Sequence, residues 1–144
     1  MKTASIIFTI FILSSLLTSG QKTGDTIISN DSTKLRVKVL YFHITDRCNT
    51  CKSIEANLRK TVFDNFQLQL DNGTLGLLIQ NCESPQNTAL VKKYDAYGAT
   101  LAVTIYKNGK ELQSEDLSNW AFQKAPKPEV FIAELKSKIT ELLK

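Results

Sequence analysis

Two cysteines, Cys48 and Cys51, stand with two residues between them in the run Arg47-Cys48-Asn49-Thr50-Cys51-Lys52. At that spacing the thiols can close into one small disulfide ring. They follow an apolar strand-like run, Val37 to Phe42, and open a helix-like one, Ile54 to Phe66. At a helix N-terminus the unpaired backbone N–H groups and the macrodipole favour negative charge, so a thiolate is stabilised there. A free thiol titrating near ~8.5 falls to about 3.5–7.5 in such settings. The chemistry this permits is thiol–disulfide exchange. Cys48, at the exposed first turn, is the candidate nucleophile. Cys51, facing inward, is the candidate resolving thiol, which attacks a mixed disulfide and releases the partner. Arg47 and Lys52 place positive charge nearby and are expected to favour the Cys48 thiolate.

Two other uses of the pair stay open at this level. A static disulfide is one, although so short a loop stabilises little by restricting the unfolded chain. Metal ligation is the other. His43 is the single histidine, five residues before Cys48. With Cys48 and Cys51 it could form a three-ligand site for copper(I), or for zinc with a further ligand. Otherwise His43 is a partly buried side chain that tunes the thiols. The third cysteine, Cys82, reads as a small buried apolar residue, with a regulatory or intermolecular thiol as the alternative. Glu55, one helical turn after Cys51, is a solvated carboxylate or a proton relay. Tyr97, Trp120 and Phe122 belong to the core or to a partner surface. The sequence shows no Gly-rich phosphate loop, no Ser-His-Asp arrangement and no carboxylate cluster, so nothing supports nucleotide, flavin or hydrolytic chemistry.

The chain that must position these residues has 144 residues. Lys2, the apolar run Ile6 to Leu17 and the small residues Thr18-Ser19-Gly20 have the layout of a signal peptide, residues 1–20, with a cut expected after Gly20. The apolar core is short for a bilayer span; an uncleaved anchor is the alternative and would be the only membrane attachment. No cysteine lies near the cut, which argues against a lipoprotein anchor. Export, to a periplasmic or other extracytoplasmic space, permits disulfides to persist. Three cysteines are too few for a disulfide-stapled scaffold; one close pair and one leftover suit a working site.

About 124 residues follow the expected cut, enough for one domain. Removing Lys2 from the 18 basic residues leaves 17 against 14 acidic, a net charge of +3. The charges are scattered, so no nucleic-acid groove or anionic-membrane patch is indicated.

Residues 21–33 are polar and small and read as a flexible leader, which leaves 34–144 as the domain. Leu35, Val37, Val39, Tyr41 and His43 alternate with Arg36, Lys38, Leu40, Phe42 and Ile44, a strand entering the middle of a sheet. Asp46 or Arg47 falls where a helix cap is expected. Cys51, Ile54, Leu58, Val62 and Phe66 form one apolar stripe on a helix of roughly five turns. Thr74 to Asn81 is a second buried strand. Pro85 starts a helix that runs toward Gly98, and Leu101 to Tyr106 is a third strand. Asn108-Gly109 signals a hairpin to a short return strand, Lys110 to Ser114. Leu117 to Phe122 is ambiguous, and an amphipathic helix starts near Pro128. The order predicts an α/β fold with a central mixed sheet of about four strands flanked by helices.

This order, with Cys-x-x-Cys opening the first helix, resembles the thioredoxin-like fold over Leu35 to Leu143. Three runs carry the likeness: VKVLYFHITDRCNTCKSIEANL, NTALVKKYDAYG and LAVTIYKNGKE. Within that superfamily the combination of YFH, RC-x-x-CK-x-IE and Lys92-Lys93-Tyr94 is most similar to small exported proteins labelled the ArsF family, a label that implies a link to a nitrophenyl-compound nitroreductase. The resemblance implies a protein thiol–disulfide oxidoreductase whose only redox group is the Cys48–Cys51 disulfide, with no separate cofactor. Its partner would be a thiol- or disulfide-bearing protein, with a membrane electron donor as one source of electrons, and the protein itself a monomer. It also places the loop Gly98-Ala99-Thr100 against the cysteines as the partner-binding loop. Thioredoxins carry a cis-proline there and a buried aspartate in the first strand. This chain has neither, and a trans loop is expected because a non-proline cis bond costs about 2.5–4 kcal/mol. A degenerate, partner-binding subunit is a further alternative.

Overall fold

The protein is described by a computed structural model over residues 25–144; the expected signal peptide lies outside the described residues. Five strands form one mixed sheet: β1 (Thr26–Ile28), β2 (Val37–His43), β3 (Leu75–Asn81), β4 (Thr100–Lys107) and β5 (Lys110–Asp116). Their spatial order is β1-β3-β2-β4-β5. Only β2 and β3 run parallel; β1 pairs antiparallel with β3, β4 with β2, and β5 with β4. The helices are α1 (Asn49–Asn65), the short α2 (Gln67–Asp71), α3 (Thr88–Tyr94) after a 3-10 turn at Pro85–Asn87, α4 (Ser118–Lys124) and α5 (Pro128–Leu142). This is an α/β fold, and its arrangement is of the thioredoxin-like kind.

Every residue of β2 is buried, because the central strand carries helices on both faces. On one face Val37, Val39 and Tyr41 join Ile54, Leu58 and Val62 of α1 and Phe131, Leu135 and Ile139 of α5 in the main core. On the other, Leu40 and Phe42 pack with Leu78, Val91, Ala96 and Ala102. A strand with two dry faces cannot alternate apolar and polar residues, which explains the continuous apolar run after Val39. Truncating a fully buried leucine such as Leu58 costs about 2–5 kcal/mol.

The sheet has a fifth strand that the flexible-leader reading of residues 21–33 does not provide. Thr26, Ile27 and Ile28 pair with Ile79, Leu78 and Leu77. Without β1 the ladder groups on that side of β3 would be unpaired, and a buried unpaired backbone group is costly. Side chains fasten the segment further. The Asp25 carboxylate accepts from the Asn81 backbone N–H at 3.0 Å and from Asn87 Nδ2 at 2.9 Å, and Lys38 Nζ donates to Asn30 Oδ1 at 2.7 Å. The described domain therefore begins by Asp25 at the latest, and not at residue 34.

Gly76 shows how closely this segment lies. A Cβ at position 76 would come within 2.5 Å of the Ser29 carbonyl oxygen, so the mid-strand glycine makes room for the chain leaving β1. At the far edge, Asn108 and Gly109 both have positive φ, 50° and 77°, as a two-residue hairpin turn requires. The ambiguous stretch Leu117 to Phe122 becomes α4, whose start is fixed by Asp116 Oδ1 accepting the Ser118 N–H at 2.7 Å.

Candidate functional site

The site grows from the end of β2. The strand stops at His43, residues 44–47 turn, and α1 begins. The N-cap of that helix is Cys48 itself, in extended conformation at φ −67° and ψ 161°, in place of Asp46 or Arg47. Its Sγ accepts the backbone N–H of Cys51 at 3.1 Å, the bond a serine or aspartate cap would normally make. Cys48 and Cys51 are joined as a disulfide, with Cα atoms 5.2 Å apart. Cys48 is exposed, whereas Cys51 retains 7% of its surface and faces the core side of α1. One half of the disulfide thus belongs to an exposed residue and the other to a buried one.

Tyr41, buried in β2, donates its hydroxyl to the Cys51 carbonyl at 2.9 Å. Burial, reinforced by the negative charge of Glu55, pushes this phenol up to about 12, so it stays a donor at physiological pH. The bond joins the first turn of α1 to the central strand.

His43 is nearly buried, and burial pushes its pKa below the usual imidazole value. Its two nitrogens have different partners. Nδ1 lies 3.0 Å from the Ile44 carbonyl oxygen, and Nε2 lies 2.5 Å from Arg47 Nη2. A carbonyl can only accept and a guanidinium can only donate, so the neutral Nδ1–H tautomer satisfies both contacts. The second arm of Arg47 pairs with Glu55 Oε2. Glu55 Oε1 pairs with Arg59 Nε at 2.8 Å, and Arg59 Nη2 donates to Thr26 Oγ1 at 2.9 Å. A polar chain thus runs from β2 through the turn and α1 to β1.

The turn is tied on its other side to the end of β3. The Cys82 N–H donates to the His43 carbonyl at 2.8 Å, Thr45 N–H to Glu83 Oε2 at 2.8 Å, and Asn81 Nδ2 to Thr45 Oγ1 at 2.9 Å. The bonds from Thr45 hold the Glu83 carboxyl below the usual carboxylate range.

Among the residues singled out from sequence, Cys48 is joined to Cys51, Arg47 contacts His43, and Lys52 is exposed on the first turn of α1. Gly98, Ala99 and Thr100 stand at the same end of the sheet, because β4 is antiparallel to β2 and starts where β2 ends; Thr100 pairs with Phe42. No described peptide bond is cis. The three-residue metal set is not assembled: the Nε2 of His43 faces Arg47, and among the described residues no three His, Cys, Asp or Glu side chains converge as ligands. Cys82 is free and half-buried, packed against the second core cluster on the opposite face from α1, and burial pushes its thiol up. Glu55 is ion-paired rather than solvated. Tyr41 was not among the sequence candidates. Its position two residues before His43 on the inward face was the available signal.

Among the described residues no helix is long and apolar enough to cross a membrane. No family model matches the chain, and no curated protein matches it. A solved structure described as that of a malarial protein is similar to this chain at 21% identity and a TM-score of 0.39, covering 62% of this chain and 94% of that one. No inference about function follows from a likeness at that level. What the chain's own geometry establishes is an α/β domain presenting one exposed and one buried cysteine, in disulfide linkage, at the start of its longest helix.

Proposed function

We propose that the protein is an exported thioredoxin-like thiol–disulfide oxidoreductase that exchanges electrons with a partner protein through Cys48 and Cys51. The observation that carries this reading is Cys48: an exposed residue at the N-cap of α1 whose Sγ already accepts the Cys51 N–H. In the reduced protein the same N–H would meet a thiolate. A hydrogen bond to a charged group contributes about 1.5–3 kcal/mol, enough to move an ionisation equilibrium roughly tenfold or more.

The steps balance within the dithiol and the partner. The Cys48 thiolate attacks one sulfur of a partner disulfide, forming a Cys48–partner bond; the second partner sulfur leaves as a thiolate and takes a proton. Cys51 then loses its proton and attacks Cys48 Sγ. The intramolecular disulfide closes and the remaining partner thiolate departs. Two electrons and two protons pass to the partner, and the reverse sequence oxidises a partner dithiol. The disulfide is itself the electron carrier, and a membrane electron donor would recharge it. Kinship with the ArsF group, the exported location and a partner role for Gly98-Ala99-Thr100 belong to this proposal; their supports are, in turn, the quoted sequence runs, the signal-like layout of residues 1–20 and the position of that loop at the end of β2.

The test is exchange with glutathione and with a protein disulfide such as insulin. Wild type is expected to cycle between dithiol and disulfide, and Cys48→Ser to lose the activity. Equal activity in the two proteins would overturn the assignment.

A further inference from the structure

Arg47 precedes the candidate nucleophile, yet its guanidinium is engaged by two other groups. One arm pairs with Glu55 Oε2 of α1, and the other donates to His43 Nε2 at the end of β2. Its side chain retains 16% exposure. Its charge is neutralised at contact by a carboxylate that Arg59 also shares. What Arg47 supplies is a span: from residue 47, one planar fork reaches both the strand that ends before the turn and the helix that begins after it.

We propose that Arg47 is a positioning residue: by bridging His43 and Glu55 it fixes the turn of residues 44–47 so that Cys48 holds the N-cap conformation in which its Sγ meets the Cys51 N–H. It acts through this geometry and not through its charge. The inference rests on the thiol–disulfide reading of the site and adds a determinant of its reactivity.

Three observations support it. The acceptor on His43 is preset, because the Ile44 carbonyl takes the Nδ1 proton and leaves the Nε2 lone pair facing Arg47. The opposite side of the turn is held by Thr45, through Glu83 and Asn81, so removing the Arg47 bridge frees one side only. The cap bond itself depends on the Cys48 backbone, since an N-cap side chain reaches the helix N–H groups only from an extended conformation. A lysine would keep the charge, but its single ammonium lacks the rigid fork that engages two acceptors together.

The test uses the whole reduced protein. It measures the rate of Cys48 alkylation at neutral pH and the equilibrium of the Cys48–Cys51 couple with glutathione. Arg47→Lys keeps the charge and loses the bridge; His43→Leu keeps Arg47 and removes one acceptor. Each is expected to slow alkylation about tenfold and to shift the couple about tenfold toward the stronger reductant, ~30 mV for two electrons. The double variant is expected to add nothing to either single, as for residues acting as one unit. His43→Gln, which restores an acceptor oxygen, is expected to recover most of the rate lost in His43→Leu. The differences should persist at about 1 M salt, where the Debye length is ~3 Å. Should Arg47→Lys fail to fold, His43→Leu decides alone, because a purely electrostatic role for Arg47 predicts no slowing there. A wild type that does not exchange with glutathione overturns both readings. A wild type that exchanges, with both folded variants matching its rate, overturns this one alone.

Discussion

The sulfur of Cys48 accepts the backbone N–H of Cys51 at 3.1 Å. In the proposed exchange reaction, that one relationship gives the two cysteines different work. Cys48 takes the position of a helix cap, open to solvent and directed at the positive end of the α1 dipole. Cys51 supplies the donor and is itself buried. The pair is therefore chemically asymmetric before any partner arrives.

Trapping follows from the asymmetry. In Cys51→Ser the mixed disulfide on Cys48 has no resolving thiol, so it should accumulate when reduced protein is mixed with a disulfide-bearing protein; Cys48→Ser should trap none. Non-reducing electrophoresis with mass spectrometry reads both. Trapping by Cys48→Ser in preference to Cys51→Ser would invert the roles.

Stability should depend on the protonation of His43. Its folded pKa lies below the ordinary imidazole value of 6.5, chiefly through burial. Below 6.5 the unfolded chain therefore binds the proton more readily than the folded one, and stability falls as the pH drops through that value. The contribution is complete above it. Thermal midpoints should decline between about pH 7.5 and 5.5 in wild type and less in His43→Gln. The depressed carboxyl of Glu83 loses its contribution only below the ordinary carboxylate value of 4.5, which separates the two effects. Parallel declines in wild type and His43→Gln would show that His43 is not the group responsible.

Gly76→Val should be among the costly changes away from the site. Its Cβ would meet a backbone carbonyl, Ser29 O, and the Leu35 side chain, and crowding of this kind costs about 1–3 kcal/mol. Chemical denaturation should show a lower midpoint with an unchanged slope. A variant as stable as wild type would mean that the β1 segment does not lie against β3.

These results also mark where the sequence was readable. The strand Val37–His43, the apolar stripe Cys51, Ile54, Leu58 and Val62, the Asn108-Gly109 hairpin and the helix from Pro128 all follow from local periodicity and turn chemistry, and each is present. β1 was not readable. Three residues, Thr26 to Ile28, are too few to show a period, and they become a strand only because β3 offers an edge. Gly76 was the overlooked signal, since a glycine inside a buried strand often marks another backbone close by. At the site, Cys48 and Cys51 could be seen from spacing alone. The partners of Arg47 could not, because its contacts to His43 and Glu55 exist only once the turn has folded. The Glu55–Arg59 pair, one turn apart on α1, was the part of that network within reach of sequence.

The most direct measurement is the alkylation of each cysteine in the fully reduced protein, resolved by mass spectrometry across a pH series. The account predicts that Cys48 reacts at least about tenfold faster than Cys51 at neutral pH, with its ionisation falling below the ~8.5 of a free thiol. Equal, slow labelling of both sulfurs, with ionisation at or above that of a free thiol, would contradict it.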